Sequence, residues 1–318
     1  MPATLTGTSF LNKNIQPLFD AFEQAEAIVV FHHVSPDPDA RGTQLGMCEF
    51  LKERYPGKTI LAAGPQDDMD EVSDEQMKSA MALICDTSNG YRVDDQRYTM
   101  CRNIARIDHH IQVEDFGELD YVDADAPAAA EVAVEILRTH GEEIPVSSAQ
   151  HFLEALISDT QRFMLPSVRP STFEAAAWLV SHGASVDLAQ KHLYTRIREK
   201  YAYGGKVISK SVLKNKCLVA VMSRDDYLSC ACPFEEAKNS VNLMAQIEGV
   251  EIWVLITENL DGQHYQASVR SAGIPVEPLA RAYGGGGHAC ACGIKNLDAS
   301  TVSALIDDLA KLSLTQEA

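Results

Sequence analysis

The chain has 318 residues, of which 46% are hydrophobic and 23% charged, so it can bury more than one core and is neither disordered nor fibrous. Its formal charge of −18 argues against a stable complex with long nucleic acid, because such binding depends on neutralising many phosphates. This charge still permits a short nucleotide to be held by metal ions and a few arginines.

The sequence contains no signal for export or membrane insertion. No apolar stretch approaches the roughly 20 residues needed to cross a bilayer, and the N-terminus lacks a basic region followed by an apolar one. The eight cysteines include C-x-C pairs but no C-x-x-C pair, which disfavours a structural zinc site. We therefore expect a cytoplasmic protein with free thiols and no membrane contact.

In the first half of the chain, short apolar runs alternate with helix-spaced patterns. The runs predict strands at residues 27–31, 59–63, 81–85 and 104–107. The helical patterns cover residues 15–26, 42–55, 128–139, 148–158, 172–182 and 186–197. Because strands and helices alternate, the sequence predicts an α/β fold with a doubly wound, mainly parallel sheet.

The pattern breaks at residues 198–206 (REKYAYGGK), where two glycines stand beside charges, and we place a linker there. Beyond it the sequence predicts a hairpin at 207–213 and 217–222, strands at 252–257 and 265–269, helices at 234–246, 276–283 and 299–312, and a glycine loop at 284–287. The predicted organisation is a first domain at 1–197, the linker at 198–206, and a second, smaller α/β domain at 207–318.

Three of the predicted strands end in acidic and histidine side chains. These are His33, Asp37 and Asp39 after the first strand, Asp86 after the third, and Asp108, His109 and His110 after the fourth. Ligands of open α/β sheets collect beyond the carboxyl ends of the strands, so we expect these side chains to lie together. Asp159 joins them if the helix that carries it packs over the same edge.

This set of side chains predicts a metal site. Carboxylates mixed with imidazoles suit Mn²⁺, with Mg²⁺, Fe²⁺ or Co²⁺ as alternatives, and the absence of cysteine from the set disfavours a zinc–thiolate site. Acids this close repel one another unless cations neutralise them. We expect two ions about 3.5 to 4 Å apart, an arrangement that activates water against a phosphate ester.

Each residue also has a simpler structural interpretation. Asp37 and Asp39 stand beside prolines and could be turn residues, and Asp86 could cap the segment that follows it. Asp159 could face solvent at the end of its helix. The segment 108–110 is the exception, because two histidines after an acid have little packing value. The coincidence of acids at matching strand ends favours the metal site.

The glycine run near the C-terminus predicts a phosphate-binding element. Glycines 284–287 let backbone amides approach a phosphate, and Arg270 and His288 can supply positive charge. The alternative is a flexible connector between two helices. If the metal ions and the phosphate-binding element lie in different domains, the site favours substrates whose length matches the distance between them, such as short oligonucleotides and small bisphosphates.

Taken in order, these motifs resemble those of the DHH phosphoesterase superfamily. The matching segments are His33 to Ala40 (HVSPDPDA), Asp86-Thr87, Asp108-His109-His110 and Ser158-Asp159-Thr160, followed by Ser268 to Ser271 (SVRS), Gly285 to His288 (GGGH) and Ala291 to Gly293 (ACG). The last three are similar to segments of the DHH-associated domain. Pro38 stands where glycine is commoner, and Cys292 where alanine is usual, but neither change removes a ligand.

The resemblance implies a role for each candidate residue. One ion is expected at His33, Asp37 and Asp86, and the other at Asp39, Asp86, His109 and Asp159, with Asp86 shared. Asp108 is expected to support the adjacent histidines and His110 to lie near the scissile phosphate, which makes these two the predicted catalytic residues. The predicted substrate contacts are Arg270, Ser271, Gly285, Gly286, Gly287 and His288.

The two-domain length is most similar to the stand-alone nanoRNases and pAp phosphatases of that superfamily. This similarity implies a Mn²⁺-dependent enzyme that degrades very short RNA and cleaves pAp or a linear dinucleotide such as pApA. The alternatives are a cyclic-dinucleotide phosphodiesterase, a single-strand DNA exonuclease, a pyrophosphatase and, outside the enzymes, a nucleotide sensor. The expected partners are these substrates, with homodimer formation left open.

Overall fold

The computed structural model describes residues 14–111, 114, 116–195 and 198–315. The chain divides into two units, residues 1–195 and 196–318, each with its own sheet and hydrophobic core. Residue 197, the predicted end of the first domain, lies outside the described residues.

Parallel strands build the first unit. They are β1 (Ala27–Phe31), β2 (Thr59–Ala62), β3 (Met81–Cys85), β4 (Ile104–Asp108) and β5 (Leu119–Val122). The helices are α1 (Gln16–Gln24), α2 (Pro38–Arg54), α3 (Asp74–Ser79), α4 (Ala129–His140), α5 (Val146–Asp159), α6 (Pro170–Ser181) and α7 (Val186–Tyr194), with 3₁₀ turns at Gly90–Arg92 and Gln96–Met100. The strand order is β2-β1-β3-β4-β5, all parallel, which confirms the predicted fold class.

The two faces of this sheet are both covered, which explains why its strands are apolar throughout. In β1, Ile28 and Val30 pack into a core shared with α2, α4 and α5. Val29 and Phe31 point to the other face, where α3 and the second 3₁₀ turn cover them. Since β2 and β3 lie on opposite sides of β1, the strand order reverses between β1 and β3, where α/β sheets bind ligands.

The start of α2 differs from the prediction. The helix begins at Pro38, not at residue 42, because proline is tolerated in a first turn whose N–H groups have no partner inside the helix. Asp37 caps it by accepting a hydrogen bond from the Ala40 N–H at 3.0 Å. From the two prolines we expect an extended turn through residue 39, and this prediction is wrong, because Asp39 lies in the first turn of α2.

The second unit is built on a mixed sheet. Its strands are β6 (Val212–Lys214), β7 (Cys217–Met222), β8 (Ile252–Glu258), β9 (Tyr265–Ser271), β10 (Gly286–His288) and β11 (Ala291–Leu297), in the order β10-β11-β9-β8-β7-β6. Its helices are α8 (Arg198–Lys210), α9 (Arg224–Leu228), α10 (Phe234–Lys238), α11 (Glu277–Ala282) and α12 (Ala299–Leu312), with a 3₁₀ turn at Ser240–Met244. Only β7 and β8 pair in parallel. None of the helices in the described ranges is long and apolar enough to cross a membrane.

The predicted linker at 198–206 is helical and forms most of α8. Tyr203 and Val207 are buried in a core of the second unit. A Cβ added to Gly204 would lie 3.0 Å from the Leu243 side chain, so this glycine permits close packing and does not break the helix. The predicted strand at 207–213 is also wrong in its first half, because α8 continues to Lys210 and β6 begins at Val212.

Candidate metal centre

The acidic and histidine residues singled out from the sequence meet at the carboxyl edge of the first sheet. His33 lies two residues beyond β1, Asp86 directly follows β3, and Asp108 ends β4. Because these three strands are parallel neighbours, their ends present side chains to the same edge. The sequence places a ligand at each end, and the sheet order brings them together.

His33, Asp37 and Asp86 form the first group. The His33 Nε2 atom lies 3.5 Å from Asp86 Oδ2 and 3.9 Å from Asp37 Oδ2. The His33 Nδ1–H donates to the Val34 carbonyl oxygen at 2.8 Å, which leaves Nε2 as the ring atom able to bind a cation. Their ligand atoms lie close enough together to hold one ion.

Asp39, His109 and Asp159 form the second group. The His109 Nε2 atom lies 3.8 Å from Asp39 Oδ2 and 3.7 Å from Asp159 Oδ2. The His109 Nδ1–H donates to the Ala126 carbonyl at 3.1 Å, so Nε2 is the ring nitrogen that faces the acids. The end of α5 thus brings Asp159 to the same edge as the strand-end ligands.

Asp86, a member of the first group, also adjoins the second. Its Oδ2 atom is the one near His33, whereas its Oδ1 atom lies 3.3 Å from His109 Nε2. The residue is 1% exposed and has a left-handed backbone, with φ at 51°, an uncommon conformation outside glycine. A buried carboxylate with one oxygen toward each group has the position of a bridging ligand.

Asp108 organises the two histidines that follow it. Its buried Oδ1 atom accepts hydrogen bonds from the His109 N–H at 2.8 Å, the His110 N–H at 3.2 Å and the His110 Nδ1–H at 2.8 Å. Contact with Asp108 raises the pKa of the half-exposed His110 imidazole above its ordinary value, despite the opposing effect of partial burial. Asp108 therefore orients both rings and favours the protonated form of His110.

The acids of this edge strongly affect one another. Burial, followed by the charges of Asp86 and Asp159, raises the pKa of Asp39 well above its ordinary value. Burial and the charges of Asp37 and Asp86 raise the pKa of Asp159 to about 7. In His109, contact with Asp86 and the charge of Asp39 outweigh burial and raise the pKa to about 10. The carboxyl edge of the first sheet therefore favours the binding of protons or metal cations.

The residues present fit a pair of divalent cations. Within the described residues Asp86 Oδ1 has no hydrogen-bond partner, although it is buried. Two ligand atoms each about 2.1 Å from one cation are roughly 3 to 4 Å apart. The nitrogen–oxygen separations within the two groups span 3.5 to 3.9 Å, and Asp86 Oδ1 lies 3.3 Å from His109 Nε2 across them. Oxygen and imidazole donors without thiolate suit hard to intermediate metals. These observations indicate a divalent metal requirement.

Some of the predicted phosphate-binding residues of the second unit line a shallow cavity of about 270 Å³. Its lining includes Arg270, Gly286, Gly287, Lys238 and Lys295. The glycine run is not a free loop, because Gly286 to His288 forms the edge strand β10 beside β11. A Cβ on Gly287 would lie 2.3 Å from the Ala291 carbonyl oxygen, so glycine is needed for this close backbone approach.

The other predicted substrate contacts of this unit differ in position. Ser271 does not line the cavity: it is buried and its hydroxyl donates to the Ile274 carbonyl. Side chains alternate along β9, so Ser271 and Arg270 lie on opposite faces. Gly285 packs against β11, where a Cβ would lie 2.4 Å from the Gly293 carbonyl oxygen. His288 is exposed at the end of β10.

One residue near the metal centre was not predicted. Arg106, in β4, is fully buried and donates two hydrogen bonds to Asp120, at 2.9 and 2.8 Å. Its Nη1 donates to the Ser88 carbonyl at 3.2 Å and lies 4.0 Å from Asp108 Oδ2. The sequence feature that indicates this residue is an arginine inside an otherwise apolar strand, two residues before Asp108.

A parallel α/β sheet that carries two groups of acids and imidazoles on one edge is the architecture of a metal-dependent hydrolase. Residues 27–159 match the DHH family, N-terminal domain, and residues 215–312 match the DHHA1 domain. The chain is 30% identical over 303 residues to the bifunctional oligoribonuclease and PAP phosphatase NrnA of Bacillus subtilis (strain 168), covering 92% of this chain and 96% of that protein.

Two further comparisons agree. The bifunctional oligoribonuclease and PAP phosphatase NrnA of Mycoplasma genitalium is 25% identical over 316 residues, covering 94% of this chain and 97% of that protein. A solved exopolyphosphatase-related protein from Bacteroides fragilis has the same fold, with a TM-score of 0.81 at 20% identity over 98% of this chain and 99% of that chain. The chain belongs to the DHH superfamily of phosphoesterases, as an NrnA-type member. It is a hydrolase of phosphate esters.

Proposed function

We propose that the protein is a Mn²⁺-dependent phosphodiesterase that degrades very short oligoribonucleotides, such as pApA, to mononucleotides and dephosphorylates pAp. The observation that carries this proposal is the buried Asp86, which turns one oxygen toward each of two metal-binding groups. The names of the Bacillus and Mycoplasma relatives, which describe oligoribonuclease and PAP phosphatase activities, support the choice of substrates. Eight free cysteines agree with a reducing cytoplasm.

In this proposal the two groups divide the metal ligands. His33, Asp37 and Asp86 hold one ion, while Asp39, Asp86, His109 and Asp159 hold the other. When bound, such a pair of ions polarises the phosphate and lowers the pKa of water enough for it to act as a nucleophile. Mn²⁺ is favoured over Mg²⁺ because each group contains an imidazole, a ligand that Mg²⁺ seldom takes.

The chain's own residues supply orientation and proton transfer. Asp108 keeps Nδ1 of the half-exposed His110 occupied, which leaves Nε2 as the ring nitrogen that can contact a substrate. Because contact with Asp108 favours the protonated ring, Nε2–H can donate to the scissile phosphate or its leaving oxygen. His110 is thus the proposed acid, and Asp108 the residue that positions it.

The proposed substrate contacts of the second unit are Arg270, the glycines at 285–287 and His288. Arg270 and Lys295 line the cavity together with Lys238, whose ammonium group pairs with Glu235 at 2.6 Å, so basic side chains gather here in a chain of net charge −18. A guanidinium and backbone N–H groups are the donors that bind phosphate most strongly. We assign this cavity to a terminal phosphate of the nucleotide.

The proposal is tested by measuring turnover of purified protein in Mn²⁺ against substrates of graded length. The panel contains pAp, pApA, cyclic di-AMP, RNA from dimers to about 24-mers, single-stranded DNA and pyrophosphate, with lengths chosen to bracket what a groove can hold. We expect pAp and the shortest RNA to turn over far faster than long strands. Preference for cyclic di-AMP, long DNA or pyrophosphate contradicts the proposed substrate class, and no turnover with any of them favours a nucleotide sensor.

A further inference from the structure

An exposed tyrosine and an exposed arginine are neighbours on a turn whose backbone adjoins the segment that carries His33. Tyr91 is 76% exposed, and Arg92 is exposed as well. Both belong to the 3₁₀ turn Gly90–Arg92, which begins four residues after Asp86. None of the proposed metal ligands or catalytic residues lies on this turn, so these two side chains serve no role assigned above.

Backbone hydrogen bonds fix this turn against the loop that carries His33. The Val34 N–H donates to the Arg92 carbonyl at 2.7 Å, and residue 93 forms an antiparallel bridge with His33. The Asp94 N–H donates to the His32 carbonyl at 3.0 Å. The backbone of Arg92 is therefore held next to a proposed metal ligand in a defined position.

The guanidinium of Arg92 is exceptional in the first unit. The other arginines described there contact carboxylates, carbonyl oxygens or an aromatic ring; they are Arg41, Arg54, Arg97, Arg102, Arg106, Arg138, Arg162 and Arg169. Among the residues that the structure describes, the Arg92 guanidinium has no such contact. In a chain with 45 acidic residues, a guanidinium without a partner, on a turn that adjoins a candidate metal ligand, is available to bind a substrate.

We propose that Tyr91 and Arg92 form a nucleotide-binding rim of the metal centre, in which Tyr91 stacks on a nucleobase and Arg92 binds a phosphate oxygen of the same substrate. Every nucleobase has a flat π-face, so stacking on an exposed tyrosine tolerates any sequence. A guanidinium matches the geometry of a phosphate with two parallel hydrogen bonds. The rim rests on the proposed function and deepens it, because it makes the preferred ligand a nucleotide and not a base-free phosphate such as pyrophosphate.

The test compares Tyr91→Ala, Tyr91→Phe and Arg92→Ala with the wild type. Arg102→Ala is the matched control, since Arg102 is also exposed but lies just before the amino end of β4, at the opposite edge of the sheet. Two substrates are used: pAp and its base-free ribose bisphosphate analogue, both followed by phosphate release in Mn²⁺. Titration calorimetry with AMP and with Mn²⁺ alone gives two readouts that do not require turnover.

The two side chains have different expected signatures. Tyr91→Ala should raise KM for pAp about tenfold and leave the base-free analogue unchanged, while Tyr91→Phe, which keeps the ring, should behave as the wild type. Arg92→Ala should raise KM for both substrates, because both carry phosphate. All variants should bind Mn²⁺ as the wild type does, and Arg102→Ala should be unchanged throughout.

The results separate failure of the rim from failure of the proposed function. If the wild type cleaves pAp but Tyr91→Ala and Arg92→Ala match Arg102→Ala, the rim is overturned and the function stands. Loss of Mn²⁺ binding in either rim variant also overturns the rim. So does a rise in KM for the base-free analogue in Tyr91→Ala that equals the rise for pAp. If the wild type cleaves neither substrate, AMP titration decides. Weaker AMP binding to Tyr91→Ala than to the wild type supports the rim. Equal binding to the two proteins, or no detectable binding to the wild type, refutes it.

Discussion

The Asp39 carboxylate caps a helix that lies 90 residues further along the chain. Its Oδ2 atom accepts the Ala129 N–H at 2.7 Å and its Oδ1 atom accepts the Ala130 N–H at 3.1 Å. These N–H groups open α4, whose own N-cap residue, Ala128, provides no side-chain hydrogen bond. Asp39 is thus held in place by protein hydrogen bonds, and the N-terminus of α4 offsets part of the effect of burial and neighbouring acids, which together raise the pKa of Asp39.

Replacing Asp39 should therefore cost stability as well as a metal ligand. In Asp39→Ala the first N–H groups of α4 lose a buried acceptor, and we expect the free energy of unfolding to fall by about 1 to 2 kcal/mol relative to Asp159→Ala. Asp159→Ala is the control, because it also removes an acid of the second group, a partly buried one, but leaves the α4 cap intact. Urea unfolding in EDTA measures the difference, and equal stability of the two variants contradicts the capping role.

Asp86 should be the residue whose loss affects turnover most. Asp86→Asn keeps the shape of the side chain but removes the charge that both metal groups share, and charge stabilisation by the metals is worth several kcal/mol, so kcat should fall about a thousandfold or more. Asp125→Asn, an exposed acid of the same unit, should leave kcat unchanged. A sensor behaves differently: its nucleotide affinity survives in Asp86→Asn and there is no wild-type turnover to lose.

The strands β1 to β4 and the candidate ligands at their ends were predicted from the sequence, whereas β5, β11, the start of α2 and the buried network around Arg106 were not. Predicted strands at 27–31 and 81–85 coincide with β1 and β3, because a strand buried on both faces is a continuous apolar run. The capping of α4 by Asp39 depends on how two distant helices pack, which no local pattern records. The strand β10 escaped prediction because glycine is depleted from strands, and here backbone proximity to β11 requires it.

Arg106 should contribute more to stability than any exposed arginine. Arg106→Met removes two hydrogen bonds to Asp120 and the positive charge beside Asp108, and breaking a buried ion pair from one side costs about 3 to 5 kcal/mol. Arg138, whose partner Glu174 is exposed, is the control, and Arg138→Met should cost less than about 1 kcal/mol. Arg106→Lys keeps the charge without the planar fork and should fall between the wild type and Arg106→Met. A cost for Arg106→Met no larger than that for Arg138→Met rules out the buried network as a source of stability.

The metal-free protein should lose stability as the pH rises. The pKa of Asp159 is raised to about 7 in the folded chain, against about 3.9 in an unfolded chain, and that of His109 is raised to about 10, against about 6.5. Both groups therefore bind protons more tightly when folded, and this stabilisation is complete below the unfolded pKa and is lost as the pH passes the folded pKa. The free energy of unfolding in EDTA should fall steadily from pH 5 to pH 9.

Mn²⁺ should reverse this dependence, because protons and the metal compete for the same carboxylate and imidazole atoms. With saturating Mn²⁺, stability should rise between pH 5 and pH 8 as the ligands lose their protons, since the ion binds only the folded arrangement. Asp159→Asn isolates one contribution: in EDTA it should flatten the slope between pH 5 and pH 7 and leave the His109 part above pH 7. Urea midpoints measured across this range with and without Mn²⁺ check both slopes, and parallel curves in the two conditions mean that these groups do not bind the metal.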